Sequence, residues 1–307
     1  PGYSHCDKKR LTEAANGCPP RMRGAGANRR RMVQEGDNME KSLGFIGAGH
    51  ITEMLLTKIV ASGIVNCDNV FVSDANPERL DWIGDKFGVR KGKSNRKVFE
   101  KSDITLICVQ PRIAPFVVED LKGEPVEGKV VLTIAAGVPM EAYESIGEGL
   151  AVIRALPNPP SQVGCAIIPY AMNRHVTEEQ RATVLEVLNL LGKCIPMNED
   201  GISVVTSLSS PAAVFLFLDT MVEAGVLCGL NRKDAVTVAH QTVYGCLRLW
   251  ESKEGKTFGD LIADASTPGG LSVETLYVLD RLAFRGALKE AYLKGADKAR
   301  DQGGKRD

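Results

Sequence analysis

The chain has no net charge: its 38 Lys and Arg are matched by 38 Asp and Glu over 307 residues. That balance gives no field to attract a nucleic acid or another polyanion, and leaves a small molecule as the better-fitting ligand. Paired histidines are also missing. The four, at 5, 50, 175 and 240, show no i, i+4 spacing and no acidic neighbour at ligand distance, so no metal is expected. The eight cysteines (Cys6, Cys18, Cys67, Cys108, Cys165, Cys194, Cys228, Cys246) form no C-x-x-C pair and follow no signal peptide. A reducing compartment, the cytoplasm, follows as the expectation. Cys108 lies in the apolar run 104–109 and reads as a small buried residue rather than a reactive thiol. The most apolar stretch, Ala212 to Leu218, is far shorter than the roughly 20 residues of a membrane helix, so no membrane partner is expected.

Residues 1–40 lack apolar periodicity and carry the triplet Arg29-Arg-Arg31, which reads as a disordered tail. Its arginines allow organelle targeting, but Asp7, Glu13, Glu35 and Asp37 and the scarcity of serine argue against it. Met39 reads as a natural start. From Leu43 the chain alternates short apolar runs (43–46, 70–73, 104–109, 130–135, 152–156) with helix-period segments (52–61, 77–87, 177–190), which writes a parallel α/β sheet domain over 41–199. Runs at 166–170 and 193–197 add edge strands. Over 200–301 only helical periods remain (212–227, 232–251, 257–265, 272–300), an all-α domain followed by a short tail at 302–307. Phe215-Leu-Phe-Leu218 is apolar on more than one helical face, so this domain is expected to cover a second copy, as a homodimer or higher homo-oligomer.

Two loops carry chemistry. Strand 43–46 runs into Gly47-Ala-Gly49-His-Ile-Thr52 and then a helix, the context of a Rossmann phosphate loop. Gly47 permits the turn, Gly49 lets backbone approach a pyrophosphate, and free N–H groups at the helix start bind the anion. Thr52 occupies the third position, where Gly or Ala is usual, and should loosen helix-to-strand packing. Asp74 ends the second strand and can accept ribose hydroxyls, which favours NADH; its other role is a turn carboxylate ahead of Asn76-Pro77. A 2′-phosphate would need Arg79, Arg90 or Lys93. The second loop, Ser266-Thr-Pro-Gly-Gly270, opens directly into a helix and joins hydroxyls to unpaired N–H groups, which suits a carboxylate.

The segment Ser266-Thr-Pro-Gly-Gly-Leu-Ser272 resembles the signature of the pyrroline-5-carboxylate reductase family. So do Gly44-Phe-Ile-Gly-Ala-Gly49, Val109-Gln-Pro111, Ala135-Ala-Gly-Val138, Arg154-Ala-Leu-Pro-Asn158 and Glu223-Ala-Gly-Val226, in the family's order across residues 42–301. The resemblance implies a Rossmann-type domain followed by an all-α dimerisation domain, and NADPH- or NADH-dependent reduction of a cyclic imino acid, 1-pyrroline-5-carboxylate, to proline. Carried over by position, Gly47, Gly49, His50 and Ile51 would surround the pyrophosphate and Asn95 the adenosine ribose, with Asp74, from its place at the strand end, and Asn76 as further cofactor candidates. Val109, Pro111, Ala135, Ala136, Gly137 and Asn158 would lie toward the nicotinamide. Ser266, Thr267, Gly269 and Gly270 would hold the substrate carboxylate, and Ser272 would face the imine nitrogen as the catalytic hydroxyl.

The departures cluster near the expected substrate. Ser272 replaces a threonine, Gln110 a lysine, Thr275 a small residue, and Leu208-Ser-Ser-Pro-Ala-Ala213 is shorter than the family's glycine-bearing entry to the helical domain. Val163-Gly-Cys165 likewise lacks a following glycine. Two alternatives stay open on these grounds: a reductase for another cyclic imine such as a piperideine carboxylate, and an inactive NAD(P)-binding regulatory homologue.

Overall fold

The computed structural model describes residues 41–303; the expected tail at 1–40, its targeting role and the last residues of the C-terminal tail lie outside them. The first unit is built on one eight-stranded sheet of order β3-β2-β1-β4-β5-β6-β7-β8. Its strands are β1 (Leu43–Ile46), β2 (Val70–Ser73), β3 (Arg90–Lys91), β4 (Ile104–Ile107), β5 (Val130–Thr133), β6 (Ala151–Ala155), β7 (Ala166–Met172) and β8 (Gly192–Pro196). The helices that follow them are α1 (His50–Ser62), α2 (Pro77–Phe87), α3 (Asn95–Lys101), α4 (Ala114–Leu121), α5 (Met140–Glu144), α6 (Glu178–Leu188) and α7 (Glu199–Leu208).

Apolar residues at consecutive strand positions fill two cores, one on each face, because side chains alternate across a sheet. Leu43, Phe45, Ile104, Leu106, Val130 and Leu132 pack with Leu55, Leu56, Ile59 and Ile83 of α1 and α2. Ile46, Ile107, Val131 and Val152 pack with Phe99, Val117 and Leu121 of α3 and α4. Helices α3, α4 and α5 were not anticipated from the sequence, since each is eight residues or fewer and shows too few turns to establish a period. The pairs from β3 through β6 are parallel, but β7 runs antiparallel to β6. The link between them holds only a short 3₁₀ turn, Pro159–Val163, and is too brief for the crossover a parallel pair requires.

The second unit, Ser210–Gly295, holds α8 (Pro211–Leu227), α9 (Arg232–Ser252), α10 (Phe258–Asp264), α11 (Leu271–Arg281) and most of α12 (Phe284–Gly303). The single helix expected over 272–300 is two, broken at Ala283, whose φ is +53°. Helix α7 groups with the sheet, so by contacts the units divide at Ser209 and Ser210.

The reading of membrane-length apolarity is also corrected. The stretch Glu199–Leu227 is long and apolar enough to cross a membrane, by length and composition only, with a mean hydropathy of 1.8 in its best window, 11% of which is buried. It is interrupted at Ser209 and Ser210, where Pro211 starts α8 and the backbone before it is extended. Within the second unit Val222, Ala235 and Ala239 form the small buried cluster. Phe215, Leu216 and Leu227 stand 65, 69 and 89% exposed, so this unit by itself leaves its largest apolar side chains uncovered.

Candidate active site

The glycine loop between β1 and α1 is closed from three sides. Gly47 takes a φ of +101°, and a Cβ there would come within 2.8 Å of the Cys108 carbonyl oxygen, so only glycine makes this turn beside β4. Thr52 is fully buried, and its hydroxyl donates to the Gly47 carbonyl. The expected loosening at this position is therefore reversed: the methyl packs, and the hydroxyl ties the first turn of α1 to the loop. The third closure comes from Asp74, whose Oδ2 accepts the Ala48 N–H at 2.6 Å while Oδ1 accepts that of Asn76 at 2.8 Å.

Gly49 shows why a ligand fits here. A Cβ on it would meet nothing within 4 Å, so the protein's own packing does not demand glycine and the backbone lies open to an approaching ligand. Gly49 is the N-cap of α1 and offers no side-chain cap, which leaves the opening N–H groups of a 13-residue helix without an intrahelical partner. Donor set, open space and helix dipole all suit an anionic diphosphate.

A cavity of 390 Å³ gathers Gly47, Gly49, Asp74, Asn95 and Val109 with Cys108, Gln110 and Arg112. A second, of 800 Å³, is lined by His50, Ile51, Lys58, Pro157 and Asn158. Pro111, Ala135, Ala136 and Gly137 line neither cavity, and lie where the chain leaves β4 and β5. Asn76 acts as the N-cap of α2, accepting the Arg79 N–H. Asn95 accepts from the Ser73 hydroxyl at 2.8 Å and donates to Asp120. Asn158 holds the backbone of Ile167 and Ser209 through its two side-chain atoms, so its amide shapes the β6–β7 turn. Sequence reasoning did not single out Arg112, just past the Val109-Gln-Pro111 motif, or Lys58, a lone cation on α1; each lines one of the two cavities. The Cys108 thiol is pushed up to about 12 by burial, with the Thr52 hydroxyl acting in the opposite direction, which disfavours its thiolate.

In the second unit the loop before α11 leaves some of its donors unused and spends others on its own backbone. Gly269 sits at φ +69°, and a Cβ on Gly270 would strike the Thr267 hydroxyl at 2.5 Å. Gly270 is an N-cap without a side chain, so the N–H groups of Leu271 and Ser272 open the helix uncapped. Among the described residues the hydroxyls of Thr267 and Ser272 make no hydrogen bond, whereas that of Ser266 donates to the Ile262 carbonyl at 2.6 Å. Thr267, Gly269 and Ser272 are thus brought together as an exposed group beside the uncapped helix start, while Gly270 gives its N–H to the Thr267 carbonyl at 2.9 Å and Ser266 is turned into the end of α10.

Comparison with known proteins fits this arrangement. A family model described as pyrroline-5-carboxylate reductase dimerisation matches residues 199–302, and one described as NADP oxidoreductase, coenzyme F420-dependent, matches 42–137. The pyrroline-5-carboxylate reductase of Methanosarcina acetivorans is 31% identical over 268 residues, covering 86% of this chain and 99% of that protein. The chain belongs to the pyrroline-5-carboxylate reductase family. It is accordingly an NAD(P)H-dependent oxidoreductase with a Rossmann-like domain and a helical dimerisation domain. Among solved structures, the reductase of Coxiella burnetii superposes with a TM-score of 0.78 at 25% identity, covering 86% of this chain and 99% of that one. The Plasmodium falciparum pyrroline carboxylate reductase, solved with NADP bound, shares the fold with a TM-score of 0.74 at 24% identity, covering 87% and 100%.

Proposed function

We propose that this chain reduces the C=N bond of 1-pyrroline-5-carboxylate to give L-proline, using NADPH or NADH. The observation that carries the reading is the pairing of two ligand loops in one family member: a glycine loop shaped for a diphosphate, and an uncapped helix start with free hydroxyls at Thr267 and Ser272. Bound NAD(P)H supplies a hydride from nicotinamide C4. The free N–H groups of Leu271 and Ser272, with the Thr267 hydroxyl, hold the substrate carboxylate at a positive helix end. The Ser272 hydroxyl hydrogen-bonds the ring nitrogen, directly or through water, as the nitrogen gains its proton. Such a reaction asks for positioning more than for a strong acid or nucleophile.

The exposed apolar faces of α8 and α11 support a homodimer or higher homo-oligomer, with a second copy as the partner that covers Phe215, Leu216 and Leu271. Scattered cysteines with no C-x-x-C pair fit a reducing compartment, the cytoplasm. The test is turnover of pyrroline-5-carboxylate beside piperideine carboxylates with both coenzymes. Preference for the five-membered ring supports the proposal, and preference for a six-membered ring redirects it to another cyclic imine. Tight coenzyme binding with no turnover of any imine would point to a regulatory homologue.

A further inference from the structure

The cleft that holds the glycine loop also fixes the charge at its adenosine end. Asp74 closes β2 and lines this cleft with Gly47, Gly49 and Asn95. Both of its oxygens are anchored by backbone N–H groups, from Ala48 at 2.6 Å and Asn76 at 2.8 Å, so the carboxylate cannot swing aside to admit another anion. A carboxylate at the end of the second strand of this fold faces the adenosine ribose hydroxyls.

A 2′-phosphate there would need a cation, and the neighbouring ones are paired elsewhere, line another groove or follow a different strand. Arg79 donates through Nε to the Ala48 carbonyl at 2.7 Å, pairs through Nη2 with Glu53 at 2.7 Å and lies 4.3 Å over the Trp82 ring. Lys86 pairs with the other oxygen of Glu53 at 2.9 Å. Together these two contacts hold the Glu53 carboxyl below the usual carboxylate range, so it stays ionised, offsets one of the two cations and draws both side chains onto itself. Arg90 pairs with Asp68 at 3.4 Å, and Lys93 lines a separate groove with Arg90, Lys97 and Lys101. Arg112 lines the cleft but follows β4, beside Val109, and its Nε is held by the Gln110 side chain at 2.9 Å.

We infer that Asp74 makes this reductase an NADH-preferring enzyme: its anchored carboxylate accepts the ribose hydroxyls of NADH and repels the 2′-phosphate of NADPH. The inference rests on the coenzyme reading above and adds the residue that decides between the two coenzymes. Like charges a few ångströms apart at a half-exposed site disfavour one ligand by about an order of magnitude in affinity.

The experiment is a fluorescence titration of the full-length protein with NADH and with NADPH, repeated by competition with ADP-ribose and 2′-phospho-ADP-ribose, which carry no reactive nicotinamide. The wild-type protein is expected to bind NADH and ADP-ribose about tenfold more tightly than their phosphorylated counterparts. Asp74→Asn keeps an oxygen acceptor and removes the charge, and should narrow the gap to about threefold by tightening NADPH. Ala75→Arg leaves the Asp74 anchor in place, adds a cation on an exposed residue of the cleft, and should shift the ratio the same way even if the first variant fails to fold. Equal or tighter binding of NADPH by the wild type, or a ratio unmoved in both variants, overturns the inference. Binding of neither coenzyme overturns the cofactor reading beneath it, an outcome distinct from a wrong preference.

Discussion

The Thr52 hydroxyl donates to the carbonyl oxygen of Gly47, joining the first turn of α1 to the sharp turn that precedes it. Both ends of this bond are buried, and Gly47 also hangs from the sheet by its N–H to Ser73 at 2.8 Å. Thr52→Val keeps the shape and leaves the carbonyl without that partner, at a cost of about 1 to 2 kcal/mol. Coenzyme dissociation constants should rise several-fold, with a lower melting temperature. Thr52→Ser should restore both; equal binding by the valine variant would reduce Thr52 to a packing residue.

Substrate affinity should depend on Gly270 more than on its exposure suggests. Gly270→Ala pushes a Cβ against the Thr267 hydroxyl and carbonyl, at 2.5 and 3.0 Å, and so moves the donors at the start of α11. The expected result is an imino-acid KM raised by about tenfold, the equivalent of 1.4 kcal/mol, with coenzyme binding unchanged. Steady-state kinetics against each substrate separates the two.

Ser272→Ala removes the hydroxyl that faces the imine nitrogen in the proposed reaction. Turnover should fall by about 10- to 100-fold, with little change in coenzyme affinity. An unaltered kcat takes Ser272 out of the mechanism.

Arg154 is 5% exposed and pairs with Glu199 at 2.7 Å, and the same Glu199 oxygen accepts the Met140 N–H. Glu199→Ala leaves a buried guanidinium without its counter-charge and should destabilise the first unit by about 2 to 4 kcal/mol, discounted for the partial exposure of Glu199. Urea unfolding of the variant is the measurement. A midpoint within error of the wild type would show that solvent replaces the carboxylate.

Cys108 should resist alkylation. With burial holding its thiol near 12, about one part in a thousand is thiolate at pH 9, and labelling should begin only well above that pH. Peptide mapping after iodoacetamide treatment at pH 8 should find Cys108 unmodified in the folded protein and modified once it is unfolded.

Much of this fold was legible because buried parallel strands are written as unbroken apolar runs. Leu43–Ile46, Val70–Ser73 and Ile104–Ile107 could hardly be read otherwise. The short helices α3 and α5 stayed hidden because Asn95–Lys101 and Met140–Glu144 bury only one or two side chains each, and Ser94 caps α3 through a contact no period reveals. The two glycine loops were legible for a different reason. A left-handed φ or a close backbone approach admits one residue type, so Gly47 and Gly269 announce themselves.

The amino-acid sequence by itself determined the sheet domain, the helical domain after it and the two ligand loops, since periodicity and glycine placement are local properties of the chain. Only the tertiary structure decided what the polar side chains around those loops do. That the Asp74 carboxylate is anchored through both oxygens, on Ala48 and Asn76, is visible only in the fold. Arg79 was a candidate phosphate ligand until Glu53 and Trp82 were found against it. Thr52 was a misfit until its hydroxyl was placed on Gly47. Such choices turn on partners as far as 31 residues away in the chain, and a hydrogen bond is directional and short, so only folded geometry assigns it.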